Sequence, residues 1–178
     1  GGTFGHAVAF SGNTMLISDP GRTITSDMFT AGGIVHVYKK TQGQFIYNSS
    51  IQPSEATPGA RFGYSVAISE DESLLVVGAP VQISSLDQPE TMPAIHIYTK
   101  NSDGQYSLLQ KIDYDITKFI QTIEHPPISA LNSSFGIDVK IYENSLIIVN
   151  SNNGLFGFAK NPEGKFVFQS SLFRDKKL

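Results

Sequence analysis

One apolar pattern occurs three times along the 178-residue chain at intervals of about 60 residues, and no other feature limits the fold as strongly. Each copy opens on a similar segment: Phe4-Gly5-His6-Ala7-Val8-Ala9-Phe10, Phe62-Gly63-Tyr64-Ser65-Val66-Ala67-Ile68 and Phe135-Gly136-Ile137-Asp138-Val139-Lys140-Ile141. The first, fifth and seventh positions are apolar in all three, which is the period-two alternation of a strand. Glycine in second place marks a point where a side chain would obstruct a close backbone approach. A short polar turn follows, and then a second apolar run: Met15-Leu16-Ile17, Leu74-Leu75-Val76-Val77 and Leu146-Ile147-Ile148-Val149. Such pairs read as hairpins.

The second run ends at Ser18-Asp19-Pro20 and at Gly78-Ala79-Pro80, where proline lacks the N–H that would continue a ladder. The third copy has Asn150-Ser151-Asn152 there instead. A third apolar stretch recurs as Ile34–Tyr38, Ala94–Tyr98 and Gly154–Phe158, with Val35, Ile95 and Leu155 spaced by 60 residues each time. After a turn containing Gly43, Gly104 or Gly164 comes a fourth stretch, Phe45–Ile51, Tyr106–Ile112 and Phe166–Leu172. Four strands per copy, three times over, predict an all-β chain. A unit of four short antiparallel strands cannot bury both faces alone, so neighbours must stack, which is the blade arrangement of a β-propeller. The blades are expected at 1–53, 54–113 and 114–178, with 114–134 as a long insertion between the second and third. Propellers close with about 4 to 8 blades, so three make a partial ring whose open faces must be covered by further blades in the same or another chain.

The run Phe62-Gly63-Tyr64-Ser65-Val66-Ala67-Ile68-Ser69, leading to Leu75-Val76-Val77-Gly78-Ala79-Pro80, resembles the FG-GAP signature of integrin α-chain heads almost letter for letter. Phe4-Gly5 with Pro20 keeps the frame, while Phe135-Gly136 lacks the second half. Phe4, Gly5, Pro20, Phe62, Gly63, Gly78, Ala79, Pro80, Phe135 and Gly136 are therefore the structural repeat motif. The resemblance implies a non-catalytic extracellular adhesion or protein-interaction module that meets a protein or glycan partner through its rim loops. Its alternatives are a structural part of a surface or filament assembly and an accessory propeller of a larger enzyme. Relatives of this kind often hold calcium in the loop between the first two strands, with alternating carboxylates. Ser11-Gly12-Asn13, Ser69-Glu70-Asp71-Glu72 and Glu143-Asn144 lack that pattern, so no calcium and no other cofactor is expected. Glu70, Asp71 and Glu72 read as a solvated acidic turn, and Asp113-Tyr114-Asp115 is read in the same way.

A net charge of -3 without clustered Lys and Arg offers no footprint for nucleic acid. The longest apolar runs are strand-sized, far short of the roughly 20 residues that span a bilayer. With no cysteine, the chain gives no thiolate chemistry and no redox clue to its compartment. It starts Gly-Gly-Thr-Phe with neither an initiator Met nor a leader, and is expected to be a segment of a longer polypeptide.

No nucleophile elbow, paired carboxylates, phosphate loop or zinc spacing appears, so no enzyme is expected. His36 and His96 share a repeat position with Phe156, which points to packing. His6 stands where the other copies have Tyr64 and Ile137. By the resemblance, recognition falls on the rim loops 21–31, 52–60, 81–92 and 113–134. Phe119, Ile120, His125 and Ile128 place apolar groups in the last of these, either as a contact surface or as a cap folded back on the blade. The sequons Asn48-Ser49-Ser50 and Asn132-Ser133-Ser134 are candidate glycosylation sites and favour an extracellular or cell-surface location.

Overall fold

A computed structural model of the chain describes residues 2–22, 32–53, 59–81, 92–115, 119, 134–152 and 154–173. Among the described residues lie twelve strands: β1 (Val8–Ser11), β2 (Thr14–Asp19), β3 (Ile34–Thr41), β4 (Gln44–Ile51), β5 (Ser65–Ile68), β6 (Leu74–Ala79), β7 (Ala94–Lys100), β8 (Tyr106–Asp113), β9 (Asp138–Tyr142), β10 (Leu146–Ser151), β11 (Gly154–Lys160) and β12 (Phe166–Phe173). They form three four-stranded antiparallel sheets in sequential order, β1 to β4, β5 to β8 and β9 to β12. These are β-propeller blades, one for each copy of the sequence pattern. The first strands β1, β5 and β9 lie side by side on the inside, and the fourth strands form the outer edges.

The registers repeat as closely as the sequence does. Ser18 pairs with Val35, Gly78 with Ile95 and Asn150 with Leu155, so these residues occupy one position in three blades. Each blade also carries a bulge between its third and fourth strands, at Val37/Tyr38, Ile97/Tyr98 and Gly157/Phe158. A bulge adds a residue on one side of the ladder and sharpens the twist of the outer edge.

Two apolar cores lie between the blades, not within them. The first joins Leu16, Val35, Val37 and Ile51 of blade 1 to Phe62, Val66, Leu75, Val77 and Tyr98 of blade 2. The second joins Leu74, Val76, Ile95 and Ile97 of blade 2 to Phe135, Val139, Ile147, Val149 and Phe156 of blade 3. Alternation along β6 and β7 thus sends neighbouring residues to opposite blades, as period two requires. Each blade has a trailing face that receives the next blade and a leading face that carries the Phe-Gly pair.

The Phe-Gly pair forms the closest contact between blades. Gly5, Gly63 and Gly136 have φ of +86°, +90° and +91°, a region open to glycine and unfavourable for other residues. That turn lets the Gly63 N–H donate to the carbonyl of Gly78, and Gly136 to that of Asn150, while the preceding phenylalanine swings onto its own third strand. Phe62 stands 5.1 Å from the His96 ring, Phe135 5.5 Å from Phe156 and Phe4 5.5 Å from His36. The shared position of His36, His96 and Phe156 is a platform for this ring.

Polar ties differ at the two seams. Between blades 2 and 3, the Ser65 hydroxyl donates to the Gly136 carbonyl at 2.7 Å. The Gln110 side-chain amide pairs with the backbone of Phe166 at 2.9 Å in both directions, imitating a strand partner. Between blades 1 and 2, the Ser11 hydroxyl donates to the Glu70 carbonyl at 2.8 Å, and the larger tie is Glu72. Its carboxylate accepts from the Asn13 N–H at 2.5 Å and the Thr14 hydroxyl at 2.8 Å, and faces Lys100 at 3.1 Å and Lys39 at 3.6 Å. The reading of Glu70, Asp71 and Glu72 as a solvated turn is thereby corrected. Glu70 is exposed, Asp71 folds back on Ser69 and Ser73 of its own turn, and Glu72 is a clasp between blades. Tyr114 of the Asp113-Tyr114-Asp115 stretch is likewise buried, against Phe135 and Phe156.

Candidate functional site: the loop-bearing end of the blades

In a sheet of order one to four, the links from strand two to three and from strand four to the next blade leave at the same end. Here those are 20–33, 52–64, 80–93 and 114–137, whereas the opposite end has tight turns such as Gly12-Asn13 and Gln42-Gly43. A rigid scaffold with long loops gathered at one end is the usual setting for recognition. Between Asn150 and Leu155 the third blade departs, with a very short β10–β11 link.

At this end, the residue after each Phe-Gly pair sits at the start of an inner strand, beside the axis around which the blades turn. His6, Tyr64 and Ile137 share that position. The rings of His6 and Tyr64 approach to 4.6 Å, and the Arg61 guanidinium lies over Tyr64 at 5.8 Å. The turn that aims them is the same in each blade: the N–H groups of His6, Tyr64 and Ile137 donate to the carbonyls of Thr3, Arg61 and Ser134. On blade 1, the buried Asp19 carboxylate accepts from the Thr3 N–H at 2.6 Å and from its hydroxyl at 3.2 Å, while the Thr3 hydroxyl accepts from the Gly21 N–H at 2.8 Å. His36 lies near Asp19 and Arg22; burial lowers its pKa, Asp19 opposes that and Arg22 adds to it.

The axial group therefore presents an imidazole, a phenol and a guanidinium, able to stack on a ring and to hydrogen-bond a carboxylate or hydroxyl. No neighbour of His6 is legible along the chain because its partners lie a full repeat away. The signal was available in the repeat frame, since residues at one inner-strand position must adjoin around the axis.

The other expected residues are dispersed. Phe119 is buried among Tyr114, Phe135, Phe156, Phe158 and Phe168, so it takes the capping alternative and not that of a contact surface. Ile120, His125, Ile128 and Asn132 lie outside the described residues. Asn48 is exposed on the outer strand β4, at the extra residue of the bulge between the Val37–Ser49 and Tyr38–Tyr47 pairs.

Comparison with known proteins bears on the repeat directly. Residues 48–97 match the FG-GAP repeat. The chain carries an FG-GAP repeat. The match runs from β4 to β7, so the FG-GAP frame joins the outer strand of one blade to three strands of the next. No curated protein sequence matches the chain. Among solved structures, it is similar to a protein from Lactobacillus plantarum with 13% identity and a TM-score of 0.60, covering 96% of this chain and 42% of that one. It is similar also to a putative 6-phosphogluconolactonase from Bacteroides uniformis, at 15% identity and TM-score 0.60, over 94% of this chain and 40% of the other. A third is the periplasmic gluconolactonase PpgL of Pseudomonas aeruginosa, at 12% identity and TM-score 0.55, over 95% and 44%. The chain thus spans about two-fifths of the length of these structures. At such identities the likeness is one of fold.

It nevertheless corrects one expectation. No enzyme is expected from a chain without local catalytic motifs, yet two proteins sharing its fold are named as lactonases. Local motifs are a poor guide here because a propeller can assemble reacting groups from several blades, distant in sequence.

Proposed function

We propose that this FG-GAP propeller segment is an extracellular interaction module that binds a protein or glycan partner at its loop-bearing end, with His6, Arg61 and Tyr64 at the centre of the contact. The observation that carries the reading is the convergence of those three side chains beside the axis, at the end where the long loops emerge. Aromatic faces stack on sugar rings or partner side chains, and a guanidinium pairs with a carboxylate in two-point fashion. The resemblance of the Phe62–Pro80 run to integrin α-chain heads supports the same end and the extracellular setting. The exposed sequon at Asn48 supports that setting too.

The test is binding of the intact chain to immobilised glycans and to acidic peptides, compared with Tyr64→Ala and Arg61→Ala. Loss of binding at least tenfold in both variants, with an unchanged circular dichroism spectrum, supports the proposal. Retained affinity in both variants sinks it. The same samples are assayed for hydrolysis of gluconolactone and its 6-phosphate; turnover that disappears in His6→Ala would replace binding with catalysis as the role of this end.

A further inference from the structure

The outer ends of the two seams are filled differently. Each blade bulges at one residue of its fourth strand, and those residues, Asn48, Leu109 and Gln169, share a position. Between blades 2 and 3, Leu109 and Phe168 pack against the core, and Gln110 ties the backbone of Phe166 beside them. Between blades 1 and 2, the places of Leu109, Phe168 and Gln110 are held by Asn48, Leu108 and Ser49. A short amide and a hydroxymethyl group thus stand where leucine and glutamine close the other seam. The Asn48 amide donates to the hydroxyl of its own neighbour Ser49, at 3.1 Å.

A groove remains there, and its walls are apolar. Tyr47 turns onto His36 and Tyr38 on the leading face of blade 1, so alternation sends Ile46 and Asn48 to the face that blade 2 adjoins. Leu108 stands across the ladder from Tyr98, which packs against blade 1, and cross-strand partners share a face. Ile46 and Leu108 therefore face one gap from its two sides, and they stay 52% and 48% exposed. Phe168, in the place of Leu108 at the other seam, is half-buried.

The residue at this gap opens the sequon Asn48-Ser49-Ser50, and Asn48 and Ser50 are both exposed on the outermost strand. We propose that Asn48 carries an N-linked glycan whose first sugar lies in the groove, across Ile46 and Leu108. In that modification the amide Nδ2 displaces the diphosphate of a lipid-linked oligosaccharide. The C–N bond to the anomeric carbon forms, the sugar–phosphate bond breaks, and the amide gives up one proton. A sugar ring offers its C–H face to apolar groups and its hydroxyls to water, which suits a groove open on its outer side. Leucine in place of Asn48 would leave that outer side apolar. The inference rests on the extracellular setting proposed above and not on the axial contact.

For the test, the intact chain is secreted from cultured eukaryotic cells, with Asn132→Gln so that Asn48 heads the one remaining sequon. Peptide mass spectrometry should find Asn48 glycosylated, with the added mass removed by peptide N-glycosidase. Trimming the glycan to a single N-acetylglucosamine then isolates the contact with the groove. That form should melt at least about 2 °C above the Asn48→Gln chain. The gain should vanish in Leu108→Ser and shrink in Ile46→Ser. An unmodified Asn48 overturns the proposal. So does a single-sugar form that melts with the Asn48→Gln chain, or a gain that survives both groove substitutions. Axial binding is measured on the same samples: binding retained with Asn48 unmodified sinks the glycan alone, and binding absent with the melting gain intact sinks the axial contact alone.

Discussion

A Cβ placed on Gly78 would stand 2.1 Å from the carbonyl oxygen of Gly136, across the seam between the second and third blades. The same oxygen already accepts the Ser65 hydroxyl at 2.7 Å, so it cannot retreat without losing that bond. The glycine of the Gly-Ala-Pro run is therefore required by the Phe-Gly turn of the next blade. Gly78→Ala should destabilise the fold by about 2–4 kcal/mol through overpacking and the lost hydrogen bond. Gly157→Ala is the control, since its Cβ would meet Ser170 at an ordinary 3.4 Å. That change should alter stability by less than about 1 kcal/mol. Urea unfolding of the two variants decides the matter; equal midpoints would remove the steric account.

Glu72 gives the first seam an acid-labile component. Burial alone would raise its pKa, but the Thr14 hydroxyl, the Asn13 N–H and Lys100 outweigh burial and bring it down to about 2. A carboxyl whose folded pKa lies below its ordinary 4.5 contributes stability above that value, and the contribution is lost as pH falls toward about 2. Glu72→Gln should therefore lower stability by about 1–3 kcal/mol at neutral pH, and by progressively less in acid. Unfolding midpoints of both proteins between neutral pH and pH 3 test this; parallel curves would exclude the clasp. The partner side is built for the carboxylate too. Gly12 has φ of +51°, and a Cβ there would run into the Glu72 carboxylate.

His96 works in the same direction with the other charge sign. Burial lowers its pKa to about 4, Lys111 adds to the effect and Asp113 opposes it. Its Nδ1 is buried with no hydrogen-bond partner among the described residues. The unfolded chain takes up a proton near pH 6.5 while the folded one resists until about 4, so stability falls as pH drops through that window. The loss is on the order of 3 kcal/mol. His96→Phe, the residue found at this platform in blade 3, should flatten the pH dependence across that range and raise stability at pH 5. A thermal denaturation series against pH measures it, and an unaltered slope would assign the acid sensitivity elsewhere.

The position of a Phe-Gly ring in the stack sets its energetic weight. Phe135→Ala opens a cavity among Tyr114, Phe119 and Phe156 and should destabilise by about 3–5 kcal/mol. Phe4→Ala, at the same place in blade 1 but largely exposed, should change stability by less than about 1 kcal/mol. Comparable losses by chemical denaturation would mean that Phe4 is covered in solution.

Strand order and the grouping into three four-stranded sheets were legible because burial on both faces forces strict alternation, and because the pattern of the third strands returned at a constant interval. Val35, Ile95 and Leu155 alone set the register that the ladders show. What escaped was whatever depends on contact between copies. Glu72 sits in a run of three acidic residues that looks solvated, and only the neighbouring turn at Asn13 makes it a clasp. His6 and Tyr64 are 58 positions apart in sequence and adjacent in space. Phe119 lies in an irregular stretch without periodicity, where nothing local distinguishes a cap from a contact. Reading each blade against its neighbours, as well as against itself, would have found the first two.

The stack is joined by two different kinds of hinge. Blades 2 and 3 share the neutral Gln110 amide and the Ser65 hydroxyl, with the Asp71 carboxylate on Asn144 and the Lys165 ammonium on the Leu109 carbonyl beside them. Blades 1 and 2 are joined through a carboxylate between two ammonium groups. Only strong acid, approaching about pH 2, neutralises that carboxylate, so ordinary acidification leaves this leaf of the molecule closed and the clasp yields last.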